Sequence, residues 1–236
     1  MKQYFLGIDT SCYTTSCAII DDELNIVGEA RKILDVKSGM KGLQQSNMVF
    51  QHTKVLPRLI EELVQVPLSG IGVSAFPRRA DDSYMPAFLV GHSFGRALSH
   101  MMKVPMYEFS HQENHILAAL RDIGSIPNQP FYALHLSGGT TELVLTEYKG
   151  KGVFESSITG GSNDLQGGQF VDRVGVALGL QFPCGKELER LALQTDTYDP
   201  LPSSVKDGWI SFAGPCSAAL RNIGNGVAPA SISKAL

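Results

Sequence analysis

The chain has 236 residues, 43% of them hydrophobic, with 20 basic against 23 acidic groups and a net charge of −3. That is enough apolar material for one large or two small cores, and the lack of any basic run argues against tight nucleic-acid binding by this polypeptide alone. Cys12, Cys17, Cys184 and Cys216 show no C-x-x-C spacing and suit a reducing cytosol, and no apolar run approaches the about 18 residues of a membrane span, so composition predicts a soluble cytoplasmic protein.

Tyr4 to Ile8 and Thr15 to Ile20 are short apolar runs separated by small and hydroxyl residues, which predicts a hairpin with a polar tip. Ile26 to Leu34 reads as a third strand, and the glycine-bearing, polar stretch from Val36 to Ser46 as a loop. Val49 to Val64 has helical apolar spacing, with Pro57 expected to kink or break it. Ile71 to Phe76 reads as a buried strand, Pro77 to Ser83 as a loop, and Pro86 to Met102 as a helix with proline in its first turn. Small residues at 91, 93, 95 and 97 would let that helix approach a neighbour closely. Val104 to Phe109 is then a short strand leading to the sequence Ser-His-Gln-Glu-Asn-His at 110–115.

This last stretch carries the chemistry. Ser110 can cap a helix whose apolar face begins at Ile116. Residues four apart on a helix differ by only about 40° in direction, so His111 and His115 would present two imidazoles side by side, a spacing suited to gripping one divalent metal. Two unrelated histidines would show the same spacing, and spacing alone leaves both readings open. Glu113 stands about 200° around the helix from His111. It is therefore misplaced for the water-activating role of the glutamate in H-E-x-x-H metallopeptidases.

Asp122 to Pro130, with Gly124, Pro127 and Pro130, reads as the link between two lobes, 1–122 and 123–236. After it the opening pattern returns: an apolar strand from Phe131 to Leu136, a polar tip Ser137-Gly138-Gly139-Thr140-Thr141, and a second strand at Leu143 to Leu145. A strand, hydroxyl-rich turn and strand heading each half is the plan of actin-like and sugar-kinase-like α/β proteins. In those folds (the ASKHA, ribonuclease H-like class) paired tips hold phosphates across a cleft. Gly150 to Ser157 would add a third strand. The glycine-rich run 160–168 precedes a helix over Gln169 to Gly179, where glycines such as Gly168 and the first helical N–H groups favour an anion. Asp172, one turn in, could bind ribose hydroxyls or be an ordinary solvated acid. A further helix is predicted over Lys186 to Leu193, a strand-like segment over Trp209 to Gly214, and a last helix at 231–236.

Taken together, these pieces resemble the universal tRNA-modifying family known in bacteria as TsaD, formerly known as O-sialoglycoprotein endopeptidase or glycoprotease. The residues that carry the resemblance are Gly-Ile-Asp-Thr-Ser-Cys at 7–12, Ser-His-Gln-Glu-Asn-His at 110–115, Leu-Ser-Gly-Gly-Thr-Thr at 136–141, Gly-Gln-Phe-Val-Asp-Arg at 168–173, Leu-Gly-Leu-Gln-Phe-Pro at 178–183 and Ser-Phe-Ala-Gly at 211–214, in family order over nearly the whole chain. The resemblance implies a two-lobed actin-like fold and transfer of a threonylcarbamoyl group from an adenylate to a tRNA adenosine. It also implies an iron or zinc ion and an adenine nucleotide (ATP or the adenylate itself). Carried over by position, His111 and His115 match the metal ligands. Ser137, Gly138, Gly139 and Thr140 match the loop around the adenylate, and Asp172 and Gly185 match positions that hold the nucleoside. The implied partners are tRNA, reached through companion subunits, and a homologous actin-like subunit or second copy; neither DNA nor a membrane is expected.

The sequence also departs from that family. Thr140 stands for a histidine, Gln169 for a glutamate, Tyr13 for an aspartate, Cys184 and Lys186 for glycine and proline, and Cys216 for a lysine. The family's third metal ligand, an aspartate, and its closing glycine motif fall beyond the match to Leu236, so the second lobe is expected to be incomplete. These departures keep a non-catalytic scaffold of the same family as an alternative. The metallopeptidase and a small-molecule kinase on the same fold stand behind it.

Overall fold

A computed structural model describes residues 2–36, 43–150 and 152–236. Most of the expected loop at 36–46 lies outside the described residues. The chain divides into two compact units: residues 1–126 with 149–154, and residues 127–148 with 155–236.

The first unit is built on a five-stranded sheet of β1 (Tyr4–Asp9), β2 (Thr14–Asp21), β3 (Ile26–Ile33), β4 (Leu68–Phe76) and β5 (Met106–Ser110), in the order β3-β2-β1-β4-β5. β1, β2 and β3 pair antiparallel, while β4 runs parallel to β1 and β5 parallel to β4. Alternation drives this placement: Leu6 and Ile8 of β1 and Cys17 and Ile19 of β2 point to one buried face and join Ile71 and Val73 of β4. Helix α1 (Gln45–Glu62) covers the sheet with Met48, His52, Leu56 and Leu59, one stripe at helical spacing.

Of the kink or break expected at Pro57, the break does not occur: α1 runs on through it. A proline inside a helix costs about 3 kcal/mol, and burial of the flanking Leu56 and Leu59, worth about 1.5–3 kcal/mol each, is enough to offset it. Helix α2 (Phe88–Met102) lies close on β4 through its small residues: a Cβ at Gly95 would stand 2.4 Å from Val73 Cγ1. Helix α3 (His111–Ile123) follows β5 with no intervening loop.

The second sheet has β6 (Phe131–Leu136), β7 (Thr141–Gly150), β8 (Val153–Ser162), β9 (Val205–Lys206) and β10 (Trp209–Ile210), in the order β6-β7-β8-β10-β9; all of it lies in the second unit except the end of β7 and the start of β8. β6 is an edge strand whose outward face exposes Tyr132, Leu134 and Leu136. The core forms among the helices instead, where Leu165, Phe170, Val174, Cys216, Ala219 and Ile232 are buried. These helices are α4 (Gly167–Ala177), α5 (Gly185–Ala192), α6 (Ala213–Gly224) and α7 (Pro229–Ala235).

The strand-like reading of 209–214 holds only for Trp209 and Ile210; Ala213 instead opens α6, a helix that the local sequence pattern does not announce. Its first N–H groups are satisfied from a distance. Asp164 accepts from Ser211 Oγ at 2.6 Å, Phe212 N at 3.0 Å and Ala213 N at 3.3 Å.

Candidate functional site

The ends of β1 and β4 lie side by side, because Ile8 pairs with Val73 and the next residues are Asp9 and Ser74. β5 continues the parallel set, and α3 starts directly from it, which brings His111 to the same strand ends. The start of α3 is fixed by a capping box: Glu113 N donates to Ser110 Oγ at 3.1 Å and Ser110 N donates to Glu113 Oε2 at 2.7 Å. His111 and His115 then stand with ring centroids 4.3 Å apart and their Nε2 atoms 2.9 Å apart. His111 is half-buried against the edge of Phe88, whereas the paired His115 Nε2 faces the exposed side.

Asp9 lies on the other nitrogen of His111, with Oδ2 3.2 Å from Nδ1. It also accepts from Ser11 N at 2.8 Å and from the Ser74 hydroxyl. Burial pushes the Asp9 carboxyl up, but the hydrogen bonds from His111, Ser11 and Ser74 outweigh it and hold the group well below the usual carboxylate range. The β1–β2 tip beyond Asp9 is tied down on both sides. Thr10 Oγ1 donates to Ala87 O and accepts from Gly91 N, and buried His52 donates from Nε2 to Cys12 O at 3.0 Å and accepts at Nδ1 from Thr15 Oγ1 at 2.8 Å.

Glu113 is 2% exposed. Its Oε1 accepts from Arg79 Nε at 2.7 Å and from Phe154 N at 3.1 Å, and its Oε2 serves the cap. Burial raises its carboxyl and these donors more than compensate, so it is held below the usual range. A carboxylate so engaged serves the helix start rather than a metal-bound water.

Among the described residues no group of three or more His, Cys, Asp or Glu side chains is arranged to hold a metal ion. The two imidazoles fit such an ion as a partial donor set: at the about 2.0–2.1 Å of a metal–imidazole bond, nitrogens 2.9 Å apart would subtend about 90°. Water or other groups would complete the sphere.

The other residues singled out by sequence gather in the second unit, along α4. Ser137 closes the β6–β7 tip on itself: its N–H donates to Thr140 O at 2.7 Å, and its Oγ accepts from Gly139 N at 3.2 Å and Thr140 N at 3.0 Å. Gly168 N donates to Ser137 O at 3.0 Å, and a Cβ on Gly168 would stand 2.6 Å from Gly138 N. Gly168 is thus required by the tip's own backbone packing on the start of α4. Gln169 sits third in α4, where its Oε1 lies 3.5 Å from Gln166 N, the place of the acidic member of a capping box.

Asp172 is half-buried and accepts at Oδ1 from Cys184 N at 2.8 Å, which anchors the turn before α5; Gly185 is the exposed first residue of that helix. So Ser137 and Gly138 meet Gly168, and Asp172 meets the turn at Cys184 just before Gly185, while the histidine pair belongs to the first unit. The sequence motifs include Asp9 without giving it a role, and they leave Ser74 unmarked. An acid in a small-residue tip directly after an apolar strand is the available signal for Asp9.

The model of the tRNA N6-adenosine threonylcarbamoyltransferase family matches residues 84–236. The enzyme of that name from Thermus thermophilus is 30% identical over 235 residues, covering 98% of this chain and 71% of its own length. Among solved structures, the (R)-2-hydroxyglutaryl-CoA dehydratase component A of Acidaminococcus fermentans aligns over 98% of this chain and 72% of its own, at 13% identity with a TM-score of 0.53. Full-length HypF, in a phosphate- and nucleotide-bound form, aligns over 99% of this chain and 36% of its own, at 11% identity with a TM-score of 0.53. These neighbours share the actin-like ATPase type of fold, with its two mixed sheets. No helix among the described residues is long and apolar enough to cross a membrane. With its sequence match running through both hairpins and the His-x-x-x-His helix, the chain belongs to the tRNA N6-adenosine threonylcarbamoyltransferase family.

Proposed function

We propose that this chain transfers a threonylcarbamoyl group from its adenylate to the exocyclic amine of a tRNA adenosine, using a divalent metal, iron or zinc, held by His111 and His115. The observation that supports this most is the convergence of the two Nε2 atoms to 2.9 Å while the far side of His111 is braced by Asp9. In the reaction the amine nitrogen bonds to the carbamoyl carbon, the bond from that carbon to the phosphate oxygen breaks, AMP leaves, and the amine gives up a proton. No side-chain nucleophile is required. A bound metal supplies a Lewis acid for the carbamoyl carbonyl.

The chain's own residues bind and orient. The tip at Ser137, Gly138, Gly139 and Thr140, with the start of α4 at Gly168, takes the phosphate and carbamoyl part, and Asp172 with Gly185 takes the nucleoside. The tRNA arrives with companion subunits, in the cytoplasm. The metallopeptidase alternative is weakened by the engagement of both Glu113 oxygens. The test is transfer from threonylcarbamoyl-adenylate to tRNA with the companion subunits present, alongside metal analysis. His111→Ala should lose the metal and slow transfer by at least about 100-fold, or about 2.7 kcal/mol of barrier. A metal-free chain with unchanged transfer would overturn the proposal, and a metal-free, inactive chain would leave the scaffold reading.

A further inference from the structure

The hydrogen bonds around Asp9 form one connected network that constrains the proton on His111. Asn114 Nδ2 donates to Ser74 Oγ at 2.6 Å. The Ser74 hydroxyl, which accepts from that amide, gives its own proton to Asp9 Oδ2, because a carboxylate oxygen can only accept. Ser11 N donates to the other oxygen, Oδ1, at 2.8 Å. A carboxylate with these donors is an acceptor only, so the His111 Nδ1 that lies 3.2 Å away must carry a proton. In the neutral ring that leaves Nε2 bare, facing His115.

We infer that Asp9, held in place by Ser74 and Asn114, is the positioning residue of this site: it fixes His111 in its Nδ1–H tautomer and aims the free Nε2 lone pair at the point where His115 Nε2 converges. The members come from β1, β4 and α3, so the orientation of the imidazole is set by the strand ends as well as by its own helix. Carboxylate partners of this kind raise the basicity of a ligating imidazole and typically carry about 10–100-fold of metal affinity. The consequence for metal binding rests on the function proposed above. The tautomer itself does not.

The experiment therefore has two arms on the whole chain, with far-UV circular dichroism to confirm folding of each variant. In the first, long-range proton–nitrogen NMR spectra of the metal-free chain at about pH 8.5, well above the ordinary imidazole value, report the His111 tautomer. The unsubstituted chain should show Nδ1 protonated and Nε2 bare, and Asp9→Asn should shift the ring toward the Nε2–H form. Ser74→Ala, which keeps the carboxylate but frees it, should give a mixture of both forms. An Nε2-protonated His111 in the unsubstituted chain, or a tautomer indifferent to Asp9→Asn, would overturn the inference. In the second arm, Zn2+ alone is titrated by calorimetry: Asp9→Asn should weaken binding about 10–100-fold and Ser74→Ala less. Equal zinc affinity in Asp9→Asn, with binding lost in His111→Ala, would overturn the positioning role while keeping the metal site. If the unsubstituted chain and His111→Ala bind zinc alike, the metal reading fails and the first arm alone decides the role of Asp9.

Discussion

β1 and β6 open the two units with one plan, an apolar strand, a hydroxyl-rich tip and a returning strand, and they come to rest in opposite surroundings. β1 has β2 on one side and β4 on the other, and its Leu6 and Ile8 are each 3% exposed. Among the described residues β6 pairs with β7 alone, and Leu134 and Leu136 are at least 60% exposed. The tips differ in the same way. Thr10, Thr15 and His52 are wholly buried around the first, whereas Ser137 to Gly139 of the second are exposed and held by the Ser137 hydroxyl and two backbone hydrogen bonds, Ser137 N to Thr140 O and Gly168 N to Ser137 O. Alternation in a strand states which residues share a face; the neighbouring strands and helices decide whether that face is covered.

The sharpest way to break this contrast is to truncate equivalent leucines and measure unfolding in urea. Leu6→Ala should cost about 2–5 kcal/mol through the cavity it leaves, and Leu134→Ala no more than about 0.5 kcal/mol. Equal losses would mean that β6 is covered in solution.

The tips can be separated by acid. Burial pushes the pKa of His52 down, against the smaller opposing effects of the Cys12 carbonyl and Asp9. The folded chain therefore binds fewer protons there than the unfolded chain. Its stabilising contribution is complete above the ordinary imidazole value of about 6.5 and declines as pH falls below it toward the lowered folded value. Urea midpoints should fall between about pH 7 and pH 5, and His52→Gln should flatten that slope. A slope that survives His52→Gln would place the acid sensitivity elsewhere.

The smallest effect concerns the start of α4. Gln169 can accept the capping hydrogen bond but lacks the charge that favours a helix N-terminus, so Gln169→Glu should raise stability by about 0.3–1 kcal/mol at low salt, read as a higher Tm. No gain would mean that the N–H groups there are already compensated.

What can be read from sequence is local. The first hairpin follows from alternation, the start of α3 from Ser110 and Glu113, and the shared face of His111 and His115 from a spacing of four. What cannot be read is long-range. Asp9 meets His111 across 102 positions, and nothing near either residue announces it. Helix α6 escapes a local reading because Gly214 and Pro215 look like breakers, yet a proline in the first turn forfeits no intrahelical hydrogen bond. Its cap comes from Asp164, 48 positions before Phe212. Pro57 misleads in the opposite sense, since its cost is met by burial that only the folded sheet supplies.

The assignment of residues 149–154 to the first unit has a practical consequence for fragment work. The polypeptide passes between the units three times, at 126–127, 148–149 and 154–155, so no single cut yields two self-sufficient halves. An amino-terminal piece ending at Ile126 would lack the Phe154 amide that Glu113 accepts and the buried Phe154 ring, and its helix bearing the two histidines would be under-supported from the start. A piece ending at Phe154 would keep every part of the first unit, but it would interrupt β8 after its second residue.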